Sequence, residues 1–121
     1  MIFFAPEAID LDPALLAFVK CHVTSTLKWE ALRVLASQQG RWLGADELAR
    51  ATHKDLGAVV GAIAELTQEG VVEALPSQLL YRLPPDEPTT VVLRRLIEEA
   101  THNRDLRNII ANYLLRSRGA A

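Results

Sequence analysis

The stretch ADELARATHKDLGAVVGAIAELTQEGVV, residues 45–72, contains two helical segments on either side of a short turn. The first segment opens with Asp46 and Glu47, which suit the positive end of a helix. Asp55 completes the turn and predicts the N-cap of a second helix, which Gly70 ends. The apolar face predicted for this second helix comprises Leu56, Val59, Val60, Ile63 and Leu66.

Two further helices and a short strand are predicted before this stretch. DPALLAFVK predicts a helix over about residues 13–21, because it opens with an N-cap residue and a proline. TSTLKWEALRVLASQQG predicts a longer helix that Ser25 or Thr26 caps and Gly40 ends, with Lys28 on its outer side. RWLG, which follows, predicts a small strand.

A hairpin, a linker and two more helices are predicted after the two central helices. VVEAL and LLYRL are rich in β-forming residues and predict paired strands, with a break at Pro76, Ser77 and Gln78. PPDEPTT, residues 84–90, predicts a linker, because prolines cannot continue a sheet. The spacing of apolar residues then predicts two helices within residues 91–118.

The order of these elements, with ADELA opening the first central helix and AIAELTQEGVV ending the second, resembles the winged helix-turn-helix domain of bacterial transcription regulators. The resemblance covers about residues 25–83. It implies a three-helix core with a β-hairpin wing; the helical spacing on either side adds an N-terminal helix and two C-terminal helices, so we expect a mainly α fold with a small β component. The expected divisions are an N-terminal helical extension (1–24), the winged domain (25–83), a Pro-rich linker (84–90) and the C-terminal helices (91–118).

The resemblance implies a DNA-binding transcriptional regulator that places residues 56–69 in the major groove of double-stranded DNA. The candidate DNA contacts are His53, Lys54, Ser77, Gln78 and Arg82. Added terminal helices commonly pair two chains of such regulators, so a homodimer is expected, with two motifs on one DNA. The candidate dimerisation residues are Leu93, Leu96, Ile97, Leu106, Ile109, Ile110, Tyr113 and Leu114.

The helix that would enter DNA lacks polar side chains where bases are read. Base readout uses residues such as Arg, Lys, Asn and Gln, whereas this helix offers Gly57, Ala58, Gly61 and Ala64. Gly57 and Gly61 are one turn apart and would let another backbone approach closely. The alternative function is therefore a winged-helix module for protein–protein contact without sequence-specific DNA binding.

Composition and charge narrow the classes of partner. The 121-residue chain has a net charge of −2, whereas nucleic-acid binders usually carry a basic surface. Residues 91–121 hold six Lys/Arg against three Asp/Glu, either as the polar face of packed helices or as phosphate contacts. Every uncharged stretch is too short to span a membrane, so we expect no membrane partner and a cytoplasmic location.

The sequence offers no pattern that indicates catalysis. Cys21 and His22 are neighbours, but adjacent residues on a helix do not face each other. The histidines are isolated and have no zinc-ligand spacing. GAVVG lies inside a helix and lacks the Gly-Lys-Ser/Thr of a phosphate loop. The sequence therefore predicts a protein that is not an enzyme and has no cofactor or metal.

Overall fold

The structure, a computed structural model, describes residues 12–75 and 77–120, with side chains described as far as Arg116. Predictions that concern residues 1–11 or Pro76 lie outside the described residues. The elements in chain order are α1 (Pro13–His22), α2 (Thr26–Ser37), β1 (Leu43–Gly44), α3 (Ala45–Thr52), α4 (Leu56–Gln68), β2 (Glu73–Leu75), β3 (Leu80–Arg82), α5 (Pro88–His102) and α6 (Arg104–Ala120). The chain is therefore mainly helical with a small sheet, as the sequence predicts.

The first two helices start at the caps expected from the sequence. Asp12 accepts a hydrogen bond from the Ala14 amide at 2.9 Å, and Ser25 accepts one from the Lys28 amide at 3.1 Å. Ser25 is therefore the N-cap of α2, and Thr26 is its first helical residue. The prediction that Gly40 directly ends α2 is wrong, because Gln38 is the C-cap and Gln39 already has a left-handed backbone, with φ +53°.

A tight turn separates α3 from α4. His53 adopts a left-handed backbone, with φ +57°, which reverses the chain after α3. Asp55 then caps α4 by accepting a hydrogen bond from the Ala58 amide at 3.2 Å. At the far end, Gly70 has φ +81°, a conformation that glycine adopts without strain. Both predicted boundaries of α4 are confirmed.

Three short antiparallel strands form one sheet in the order β1–β3–β2. Tyr81 is at the centre, opposite Ala74 on one side and Leu43 on the other. The predicted hairpin and the small strand are both present. Their joining into one sheet has no local signal in the sequence, because the contact between β1 and β3 links segments far apart in the chain.

The C-terminal helices begin and end at positions that differ slightly from the prediction. The expected linker over residues 84–90 is shorter, because α5 already begins at Pro88, a residue type that suits the first helical position. Asn103 alone separates α5 from α6, and its side-chain oxygen accepts a hydrogen bond from the Leu106 amide at 3.1 Å.

One continuous apolar core joins the helices from α1 to α6. Helix α2 packs against α3, α4 and α5, while α1 packs against α5, and α5 against α6. Two polar contacts also join the ends of the described chain. Arg95 donates to the Asp12 carboxylate at 2.8 Å, and the Tyr113 hydroxyl donates to the Lys20 carbonyl at 3.1 Å.

Candidate interaction face of helix α4

Helix α4 has one side in the core and the opposite side in solvent. Its core side comprises Val59, Ala62, Ile63 and Leu66. Its exposed side, called the outward face below, comprises Leu56, Gly57, Val60, Gly61 and Ala64. Helices α2 and α3 pack against α4 and hold the core side in place. The outward face is therefore presented on a helix whose orientation is fixed.

Two residues predicted to face the core lie instead on the outward face. Leu56 is 48% exposed and Val60 is 42% exposed. The buried stripe of α4 is centred on Val59, Ile63 and Leu66, so positions 56 and 60 fall at its edge. The prediction of one five-residue apolar face towards the core is therefore wrong for these two residues. Leu56 and Val60 instead form an exposed apolar surface.

The two glycines in the outward face leave its backbone open. Among the described residues, and apart from its chain neighbours and the backbone of α4, no heavy atom would lie within 4 Å of a β-carbon built on Gly61. A β-carbon on Gly57 would meet only the Asp55 carboxylate, at 3.1 Å. The described residues therefore leave Gly61 open to a close approach from outside, whereas a side chain at Gly57 would also require the N-cap carboxylate of Asp55 to shift.

A charged cluster fixes the C-terminal end of α4 to α1 and α2. The Lys28 ammonium lies 2.8 Å from Glu65 Oε1 and 3.0 Å from Glu69 Oε2, and it donates to Thr24 Oγ1 at 3.0 Å. His22 Nδ1 lies 2.8 Å from Glu69 Oε1. The carboxylates of Glu65 and Glu69 thus face this ammonium.

Lys28 is buried, with 3% of its surface exposed, so the prediction that it lies on the outer side of α2 is wrong. Burial lowers its pKa, but the carboxylates of Glu65 and Glu69 outweigh that effect and raise the pKa above its ordinary value. Burial raises the pKa of Glu69, but the bonds to His22 and Lys28 outweigh this and lower it below its ordinary value. The two carboxylate partners of Lys28 are 37 and 41 positions away in the sequence, so helical spacing could not have predicted these ion pairs.

Four of the five candidate DNA contacts are exposed. His53 and Lys54 precede the first turn of α4, and Ser77 and Gln78 lie at the tip of the β2–β3 hairpin. Among the described residues, no carboxylate lies within 4.0 Å of the Lys54 ammonium. These four side chains are therefore accessible to a partner.

The fifth candidate, Arg82, is already engaged within the chain. Its Nε donates to Glu73 Oε1 at 2.9 Å, across the hairpin. Its guanidinium carbon also lies 4.4 Å from the centre of the Trp42 ring, a cation–π contact. Arg82 would have to leave both partners to reach a phosphate, so the structure does not present it as a free DNA contact.

The apolar residues predicted to pair two chains are placed largely in the chain's own core. Leu93, Leu96, Leu106, Ile110 and Leu114 are all buried. Ile97, Ile109 and Tyr113 are half-buried. The apolar stripe of α6 packs against α5 and the rest of the core, so these five buried side chains have no free surface for a second chain. A homodimer remains a prediction, but these residues do not supply its interface in this arrangement.

Residues 12–75 and 77–120 contain neither a metal-binding cluster nor a membrane-spanning helix. No group of three or more His, Cys, Asp or Glu side chains there could hold a metal ion. None of the helices in the same ranges combines the length and apolar character needed to cross a membrane.

Comparison with protein-family models, curated proteins and solved structures finds no match for this chain.

Proposed function

We propose that this chain is a winged-helix protein in which α4 packs against a second protein chain instead of reading DNA bases. The order of α2, β1, α3, α4 and the β2–β3 hairpin supports the winged-helix assignment. The observation that carries the function is the outward face, where exposed Leu56 and Val60 lie beside open glycine backbone.

The chemistry of the outward face favours protein over DNA. A bidentate side-chain contact discriminates between bases by about 1–3 kcal/mol, and no residue of this face can make one. Leu56 and Val60 are each about half exposed, and covering each would contribute about 1 kcal/mol. Glycine backbone beside them permits a helix–helix contact at short distance.

The partner that we propose is a second copy of this chain, related by a twofold axis. Antiparallel packing of two α4 helices places the open strip at Gly57 and Gly61 against the same strip of the other copy. It also brings Lys54 towards the partner subunit's Glu65, whose carboxylate lies 2.8 Å from Lys28 of its own chain but whose side chain is 64% exposed, which leaves room for a second cation. Antiparallel helix dipoles add to this charge complementarity.

Sedimentation equilibrium of the wild-type chain from micromolar to millimolar concentration tests this proposal. We expect a dimer that Gly61→Gln weakens at least tenfold, since the described residues leave space for a β-carbon at Gly61 and a long side chain there enters the contact. Ala17→Gln places the same side chain at an exposed position of α1 and should leave the dimer intact. A monomer throughout the range, or a dimer indifferent to Gly61→Gln, would overturn the proposal.

A second candidate function, DNA-binding transcriptional regulation, is favoured by the exposed polar residues at the hairpin tip and just before the first turn of α4. His53 and Lys54 lie at its start, and Ser77 and Gln78 lie at the hairpin tip. Phosphate contacts from these residues would give binding that weakens steeply as salt rises.

Fluorescence anisotropy with labelled mixed-sequence duplex DNA, at low and then physiological salt, separates the two functions. A regulator should bind this DNA. Lys54→Gln should then reduce the slope of log affinity against log salt concentration by about one unit. Arg82→Gln should leave that slope unchanged, because Arg82 is engaged with Glu73 and Trp42. Protein contact through α4 predicts no binding even at low salt. Binding that depends on Lys54 would replace our proposal with the regulator.

A further inference from the structure

A cleft lies between α2 and the two C-terminal helices, away from the outward face of α4. It encloses about 210 Å³. Half-buried Trp29 forms one apolar wall, and Ile97 of α5 and Leu114 of α6 contribute others. An engineered apolar cavity of about 150 Å³ holds one benzene molecule, so this cleft has room for one ring and a short chain.

Two guanidinium groups line the same cleft. Arg33 projects from α2, and Arg107 from α6. Arg107 donates through Nη1 to the carbonyls of Ala100 and Thr101, at 2.8 and 3.0 Å, which leaves its other nitrogens uncommitted among the described residues. Arg33 makes no ion pair with any described carboxylate, although Glu30 shares a neighbouring cleft with it.

An apolar cleft with two such cations has a specific chemical preference. A guanidinium binds a carboxylate through two parallel hydrogen bonds, and it binds more strongly where apolar walls exclude water. Arg33 is exposed, so an uncharged ligand would leave its guanidinium to water and gain nothing from it, and a highly charged ligand would not cover Trp29. The combination therefore fits a molecule with one apolar part and one carboxylate.

We propose that this cleft binds a small monocarboxylate with an aromatic or branched apolar body, its carboxylate on Arg33 and its apolar part on Trp29, Ile97 and Leu114. Arg107 contributes the second positive charge. Such a ligand contacts α2, α5 and α6 at once, so its binding stabilises the packing of the C-terminal helices. The site is independent of the function proposed for α4.

The test uses full-length Trp42→Phe protein, in which Trp29 is the remaining tryptophan, titrated with sodium 3-phenylpropionate. The neutral analogue 3-phenylpropionamide, in sodium chloride of equal ionic strength, is the matched probe. We expect a saturable change in Trp29 fluorescence with the acid, and binding of the amide that is roughly tenfold weaker, the loss of one charge-assisted hydrogen bond.

Two arginine variants locate the carboxylate. Arg33→Gln should weaken binding of the acid roughly tenfold and leave the amide unchanged. Arg94→Gln removes the same charge from α5 at a position that does not line the cleft, and it should change neither. No saturable signal, equal binding of acid and amide, or equal effects of the two arginine variants would overturn the proposal.

Discussion

Gly61 and Gly70 have different backbone conformations, so replacing each with alanine should change the free energy of unfolding in opposite directions. Gly61 is helical and has open space where a β-carbon would lie, whereas Gly70 has φ +81°. We expect Gly61→Ala to raise the free energy of unfolding by about 1 kcal/mol, since alanine favours a helix. We expect Gly70→Ala to lower it by about 1–2 kcal/mol, since a side chain disfavours the left-handed region.

Urea unfolding of both variants at a concentration where the chain is monomeric measures these changes. A destabilising Gly61→Ala would mean that the outward face of α4 is covered within the single chain. Such a result would also remove the basis for proposing an external partner there.

Glu69 should make stability depend on acid pH. Its folded-state pKa lies below its ordinary value of 4.5, so its contribution is complete above 4.5 and is lost as pH falls through the lower folded value. Relative to wild type, Glu69→Gln should lose less stability between about pH 5 and pH 3, by less than about 1 kcal/mol because water screens this partly exposed carboxylate. The measurement is the free energy of urea unfolding at several pH values.

The control for this pH dependence is Glu99→Gln, which changes an exposed carboxyl on α5. It should keep the wild-type slope between the same pH values. Equal slopes for wild type and Glu69→Gln would show that the bonds to Lys28 and His22 do not persist in solution.

Individual burial was the least predictable property of the sequence. Lys28 is read as a surface residue by its type, but two carboxylates on α4 allow it to be buried. Leu56 and Val60 are read as core residues by their type, but they remain exposed. In each case the outcome depends on which element packs alongside, and residue type carries no information about that.

At the scale of elements, α6 offers a direct test of where its apolar stripe packs. Leu106 is fully buried within the chain. We expect Leu106→Ala to lower the free energy of unfolding by about 2–5 kcal/mol, because truncation leaves a cavity in the core. Sedimentation of the folded variant should show an unchanged association state.

Leu115→Ala, at an exposed position nine residues further along the same helix, is the matched variant. Its free energy of unfolding should differ from wild type by less than about 0.5 kcal/mol. The contrary result is a Leu106→Ala monomer as stable as wild type, together with dissociation of a dimer. That result would support the sequence-based prediction that the C-terminal helices pair two chains.

Element boundaries followed closely from the sequence because their causes are local. The caps at Ser25 and Asp55 and the reversal at Gly70 each depend on a few neighbouring residues. The pairing of β1 with β3 and the engagement of Arg82 depend on distant segments, so spacing alone did not predict them. The outward face was predicted through its glycines but not through its exposed aliphatic residues.

At the scale of the whole molecule, the continuous core predicts a single unfolding transition. Trp29 packs against this core from α2, while Trp42 lies beside β1 and the hairpin. Single-tryptophan variants, Trp42→Phe and Trp29→Phe, should therefore report the same urea midpoint as far-ultraviolet circular dichroism.

A transition of Trp29 that precedes that of Trp42 would contradict this prediction. It would mean that α5 and α6 detach before the central helices unfold. The chain would then unfold in steps that follow its N-terminal, central and C-terminal segments, and one continuous core would not account for its unfolding.

The hydrogen bond from Tyr113 to the Lys20 carbonyl joins residues 93 positions apart. A ribosome that adds about 5–20 residues per second needs roughly 5–20 s to make the chain between them. During that interval the apolar side of α1 lacks the helices that cover it in the finished protein. The nascent chain consequently exposes an apolar surface for seconds. Slower translation through α5 and α6 would lengthen the time during which this surface can aggregate or bind chaperones.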